Sequence, residues 1–185
     1  MLSEQQTVEL LAVLEHARRS APLLHSSIHG EHHWQHVAVI GARLAAATSG
    51  ADPQLALLFA VLHDSCRENE DYDPEHGHRA AYLLDELHST GVLTLETDRL
   101  RPLRDAVARH DAGTTTVDPA IGVCWDADRL CLPRVGVIPR TELLSTRAGR
   151  AHREWAASLQ SRPLRDWTRV LDMSDRLADQ GAIPR

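Results

Sequence analysis

The stretch Ile28–Val37, IHGEHHWQHV, holds four histidines: His29, His32, His33 and His36. Further along come His63-Asp64 in FAVLHDSCRE, His76 in EHGHRAAYLL, His110 in AVARHD, and Asp126 and Asp128 in CWDADRL. Neutral imidazoles and carboxylates are ligands for divalent transition metals such as Zn, Mn, Fe, Co and Ni. A buried imidazole beside a buried carboxylate is costly unless a cation or hydrogen bonds hold the pair. For each residue taken singly, the alternative is a hydrogen-bonded core histidine or a polar helix end.

Helical periodicity separates the inward residues from the rest. Leu44, Ile40 and Val37 form an apolar stripe whose next position back is His33, and His29 lies one turn earlier, at the mouth. His32 and His36 diverge towards the side of Gln35 and Arg43. Leu103 and Val107 place His110 on an apolar face. Ile121, Cys124 and Asp128 share a face, with Trp125 beside it, whereas Asp126 falls with Gly122 and Arg129; Asp128, not Asp126, is expected to point inward. His76 shares its stripe with Ala80 and with Leu83 or Leu84, while His78 diverges. Inward metal-type ligands thus project from several separate helices.

The elements that must carry them are helices. Apolar spacing predicts helices over about 7–18, 31–47, 97–110 and, as one or two pieces, 146–178. Asp52-Pro53, Asp73-Pro74 and Asp118-Pro119 each read as an N-cap followed by proline at the first helical position; the last two open helices through about His88 and Leu132. QLALLFAVLHD is apolar nearly all round and is expected to be the buried central helix. Strand signals are nearly absent. The expected fold is all-α, a compact orthogonal helical bundle in one domain over 1–185, with a motif-bearing core at about 28–132 and C-terminal helices at about 141–180.

Composition narrows the partners. The chain has 185 residues, 43% of them hydrophobic, enough for a real core. A net charge of -6 leaves no basic field for nucleic acid. All 20 basic residues are arginine, so a side-chain contact to phosphate would come from a guanidinium fork. No apolar run has membrane-spanning length, and MLSEQQTVELLAVLEHARRS lacks the basic n-region of a signal peptide. Three cysteines without a CxxC pair fit a reducing compartment. A cytoplasmic protein without a membrane partner is expected.

The ordered set His33 … His63-Asp64 … Asp128 resembles the HD superfamily of metal-dependent phosphohydrolases, over roughly Ile28 to Leu132. HGEHHWQHV is similar to the superfamily's His-x-x-x-His-x-x-x-Val form, with His33 as ligand and His29 as the earlier histidine. HD after an apolar helix is the name-giving pair, and ADRL, Ala127–Leu130, resembles the closing Ala-Asp motif. HGHRAAYLL and AVARHD resemble the segments that supply two further histidines, His76 and His110, in the dinuclear branch. The resemblance implies one ion on His33, His63, Asp64 and Asp128, or two with His76 and His110. Several subfamilies are not matched. HDAGTTTVD lacks a Gly-Tyr-Pro segment, and Arg67-Glu68 stand where stringent-response hydrolases carry acidic residues.

The chemistry this implies is hydrolysis of a phosphate ester or anhydride in a small phosphorylated molecule, a nucleotide among the candidates. Asp64 would bridge two ions, or ligate one and orient water; His29 would donate a proton to the leaving group; Arg67 would hold phosphate. Arg79 and Arg129 are weighed as further substrate contacts against structural pairing. Asp73 reads as a helix cap and Cys66 as packing. The same ligands would suit a mixed-valent di-iron oxygenase cleaving C–C or C–P bonds, and a non-catalytic metal- or nucleotide-binding module is a third reading. Trp155, Leu159, Trp167, Val170 and Leu171 are read as packing across the domain, with a homodimer interface or a lid as the alternative. The loop Cys131–Thr141, with Arg134 and Arg140, is a candidate to reach a substrate.

Overall fold

Why the helices begin where they do is visible at their caps. In the computed structural model, which describes residues 2–162, 164 and 166–179, Ser3 and Gln6 close a capping box at the start of α1 (Glu4–Ser20). Asp52 accepts from the Gln54 and Leu55 amides at the head of α3 (Pro53–Leu62). Asp118 does the same for Ala120 and Ile121 at the head of α6 (Pro119–Arg129). Between these lie α2 (Glu31–Ala46), α4 (His76–Ser89) and α5 (Thr97–Ala108). Two 3-10 turns, Leu132–Val135 and Thr141–Leu143, lead to α7 (Arg147–Ala151), α8 (Arg153–Leu159) and α9 (Trp167–Asp179). The described residues form an all-α bundle without a strand.

The third expected cap fails. Asp73 does not open a helix, because its carboxylate accepts from the Glu68 amide at 2.9 Å and from Arg79 Nη2 at 2.6 Å. The chain continues as a turn, and α4 starts at His76. Two ends also move inward: α5 stops at Ala108, leaving His110 in the following turn, and α6 stops at Arg129.

The core is built around two helices rather than one. α3 is buried all round, as its composition demands, but α2 is also buried along 12 of its 16 residues. α2, α3 and α6 meet at small residues: a Cβ on Gly41 would lie 3.2 Å from Ala56 Cβ and 3.6 Å from Ala127 Cβ. The three helices bearing His33, His63-Asp64 and Asp128 are thereby drawn together. The remaining face of α2 is covered by the C-terminal helices. There His36 Nε2 sits 3.2 Å from the Leu159 carbonyl, Arg43 donates to the Leu177 carbonyl at 3.0 Å, and Trp167 Nε1 donates to Glu31 at 2.7 Å. Leu159, Trp167 and Val170 are buried in that contact. Among the described residues, no helix is long and apolar enough to cross a membrane.

Candidate metal centre

His33 comes from the first turn of α2, and His63 and Asp64 from the turn that ends α3. His76 is the first residue of α4, His110 follows α5, and Asp128 lies in the last turn of α6. All six side chains converge, as their helical stripes require. His33, His63, Asp64, His76 and His110 are buried; Asp128, with 20% of its side chain exposed, is the ligand nearest solvent.

The centre is organised by the two oxygens of Asp64. Oδ2 lies 3.6 Å from His33 Nε2 and 3.6 Å from His63 Nε2. Oδ1 lies 3.3 Å from His76 Nε2 and 3.6 Å from His110 Nε2. Asp128 Oδ1 joins the first set, 3.2 Å from His33 Nε2 and 3.8 Å from His63 Nε2. Two triads, His33–His63–Asp64 and Asp64–His76–His110, therefore bring their ligand atoms within 4.8 Å of one another, and each can hold a metal ion.

The imidazoles are set for ligation by the backbone. His63 Nδ1 donates to the Ala60 carbonyl at 3.0 Å, His110 Nδ1 to Val107 at 2.9 Å, and His76 Nδ1 to Asp73. With Nδ1 protonated in this way, a neutral ring turns the lone pair of Nε2 into the centre. His76 Nε2 is 2.9 Å from His110 Nε2, lone pair against lone pair, and His63 turns its Nε2 lone pair to His33 Nε2 at 3.1 Å. Only a proton or a cation makes such contacts favourable. His33 Nδ1 is buried and meets no partner among the described residues, so its Nε2 proton is the one available to Asp128.

The titration behaviour follows. Burial pushes His63 down to about 3, although Asp64 and Asp128 oppose it. Burial also opposes charge on His110, but the hydrogen bond to Asp64 and the charges of Asp64 and Asp128 outweigh it and raise His110 to about 9. Burial works against ionisation of Asp64 and Asp128. The surrounding imidazoles, led by His63 for Asp64 and by His33 for Asp128, hold both carboxyls well below the carboxylate range. Without metal, a proton on His110 stands where a cation would stand. A divalent ion separates the lone pairs and balances the carboxylates with more charge, so the donor set fits such an ion.

α4 and α5 reach each other through Gly77. A Cβ there would lie 2.8 Å from the Val107 carbonyl oxygen and 2.9 Å from that of Ala108. Only the missing side chain lets the head of α4 sit on the end of α5 and bring His76 against His110.

Around the ligands, the expected residues divide. His29 is at the mouth, 14% exposed, with Nδ1 3.1 Å from Asp64 Oδ2. Arg67 donates to the carbonyls of Asn69 and Asp71, and its Nη1 lies 3.3 Å from His76 and 3.9 Å from Asp64 Oδ1. Arg79 and Arg129 are engaged within the fold. Arg79 pairs with Asp73 and donates to the Cys66 carbonyl, while Arg129 donates to the carbonyls of Leu143 and Thr114 beside the Trp125 ring. Arg140 is exposed and pairs with Glu142.

Two residues that turn away from the centre are nonetheless buried. Asp126 is buried as deeply as any ligand, but on the other side of α6, where the Ser145 amide, the Thr146 amide and the Thr146 hydroxyl all donate to it at 2.7–2.8 Å. His36 does turn away from the centre, yet it is buried by the C-terminal helices. Neither was visible from the stripe alone, because both depend on segments far along the chain. The residue least marked by spacing is Arg134, whose Nε donates to the Ile28 carbonyl at 2.8 Å, next to His29.

Fold and site together define an all-helical protein with a buried His/Asp centre able to hold metal. Comparison with family models, with curated proteins and with solved structures returns no match for this chain.

Proposed function

We propose that this chain is an HD-type metal-dependent phosphohydrolase with a dinuclear centre, acting on a small phosphorylated molecule. The observation that carries the reading is the division of Asp64, one oxygen towards His33 and His63 and the other towards His76 and His110. His33, His63, Asp64 and Asp128 would hold one ion, and His76, His110 and Asp64 the other. Bound divalent metal supplies an acidified water and neutralises charge on phosphoryl oxygens.

The protein's own residues do the rest. Asp64 fixes the spacing of the two ligand sets. His29, anchored through Nδ1 to Asp64, leaves Nε2 free at the mouth to hand a proton to the leaving oxygen as the P–O bond breaks. His29 would give that proton as the imidazolium, and the proton lost by the attacking water would restore it through solvent, so the proton count closes. Arg67, held by two carbonyls, presents Nη1 beside His76 to a phosphoryl oxygen.

The test is turnover by metal-reconstituted protein on a panel of phosphate monoesters, diesters and nucleotides, with His29→Ala and Asp64→Ala beside it. Metal-dependent release of phosphate, lost in Asp64→Ala and slowed in His29→Ala, supports the reading. Tight metal binding without turnover of any phosphate compound overturns it. Near-stoichiometric iron with oxygen consumption would instead point to the oxygenase.

A further inference from the structure

Four arginines come near the centre in sequence or space, and their hydrogen bonds separate them. Arg79 and Arg129 are occupied by a carboxylate and backbone carbonyls, as described above. Arg67 turns Nη1 towards His76 and Asp64. Arg134, in the 3-10 turn that follows α6, is held by a single bond from Nε to the Ile28 carbonyl. Its Nη1 is buried and meets no acceptor among the described residues. A buried guanidinium nitrogen without an acceptor is costly, and this one sits where the chain runs into His29. Ile28 runs into His29, whose Nδ1 lies 3.1 Å from Asp64 Oδ2, so Arg134 stands on the His33–His63 side of Asp64.

Arg67 and Arg134 thus flank the centre from opposite ends. Asp64 and Asp128 are the two carboxylates of the centre, and they cannot balance two divalent ions together with two guanidinium groups. The excess is about four positive charges, and a dianion offsets more of it than a monoanion does.

We propose that Arg134 holds a phosphoryl oxygen of the substrate through Nη1, and that the preferred substrates are phosphate monoesters bound as dianions rather than phosphodiesters. This rests on the phosphohydrolase reading above. Nε stays on the Ile28 carbonyl, so the fork is oriented before the substrate arrives.

The test uses the full chain loaded with manganese and inorganic phosphate as the probe. Phosphate affinity is measured by calorimetry, and turnover is compared on an aryl phosphate monoester and the matching diester. Arg134→Gln is expected to weaken phosphate binding by about tenfold or more and to lower the monoester-to-diester ratio, with metal content unchanged. Arg104→Gln, on an exposed arginine paired with Asp85, serves as the control for lost charge and should leave both readouts unchanged. Equal phosphate affinity in Arg134→Gln and wild type, at equal metal content, overturns the proposal and leaves Arg134 as an anchor for Ile28. Should Arg134→Gln not fold, Arg134→Lys decides, since it keeps the charge without the fork: a loss of about threefold or more supports the proposal and unchanged affinity overturns it. Metal-loaded wild type that neither binds phosphate nor hydrolyses either ester would sink the phosphohydrolase reading itself, and the role of Arg134 with it.

Discussion

Asp126 and Asp128 are two residues apart on one helix, and their surroundings are opposites. Asp126 is met by two amides and a hydroxyl, all donors, which satisfy it without help. Asp128 and its neighbour Asp64 are met mainly by imidazole Nε2 atoms, and three of those rings, His63, His76 and His110, are tied to carbonyls through their other nitrogens. A carboxylate saturated by fixed donors is structural. A carboxylate ringed by imidazoles is a place where positive charge, a proton or a cation, can be held. The type of residue and its depth do not distinguish the two; the sign of what surrounds them does.

The comparison can be broken at either end. The largest effect is expected from Asp64→Ala, which removes the shared ligand: both ions should be lost and turnover should fall by at least about 10³-fold, measured by elemental analysis and phosphate release. Asp126→Ala should do the reverse. It leaves the Ser145 and Thr146 donors unpaired, so stability should drop by about 3 kcal/mol, roughly 6–12 °C of Tm, while metal content holds. A variant that loses both stability and metal would mean the two carboxylates are not separate in function.

Chelation comes next. At free metal about 100-fold above Kd, each ion adds about 2.7 kcal/mol, so removing both should lower the Tm of wild type by roughly 10–20 °C and leave Asp64→Ala unmoved. The chelated chain also carries a pH signature. His63, held at about 3 against an ordinary 6.5, contributes fully above about pH 6.5 and loses that contribution as pH falls towards 3. The lowered Asp64 and Asp128 add to the acid loss. His110, raised to about 9, contributes fully below about 6.5 and loses it as pH rises through 9. Thermal scans of the chelated chain should therefore peak near pH 6.5. With metal bound, His110 ligates as the neutral ring, and the alkaline loss should disappear.

The smallest effect separates the two ions. Gly77→Ala forces α4 off the Val107 and Ala108 carbonyls, which should cost about 1–3 kcal/mol and lower metal content towards one ion per chain. Retention of both ions would show that the His76–His110 contact tolerates a wider spacing.

Much of this centre was legible in the sequence because a helix has a fixed period. Stepping back from Leu44 through Ile40 and Val37 selects His33, and stepping on from Leu103 and Val107 selects His110, without knowledge of any partner. Asp52 and Asp118 cap as expected because an N-cap bonds to amides two and three residues away. Asp73 breaks that rule because Arg79 and the Glu68 amide take its carboxylate first. Arg129, His36 and Asp126 were not legible for a related reason. Their partners, the Leu143 carbonyl, the Leu159 carbonyl and Thr146, lie 14 to 123 residues away, where no local period reaches.

The most direct measurement is the metal content of wild type, His76→Ala and the double variant His63→Ala, Asp64→Ala, each reconstituted and desalted in parallel. The account predicts two ions per chain, about one, and none. Negligible metal in all three, with each of Mn, Fe, Co, Ni and Zn offered, would contradict it and leave a helical bundle whose facing imidazoles are held by protons alone.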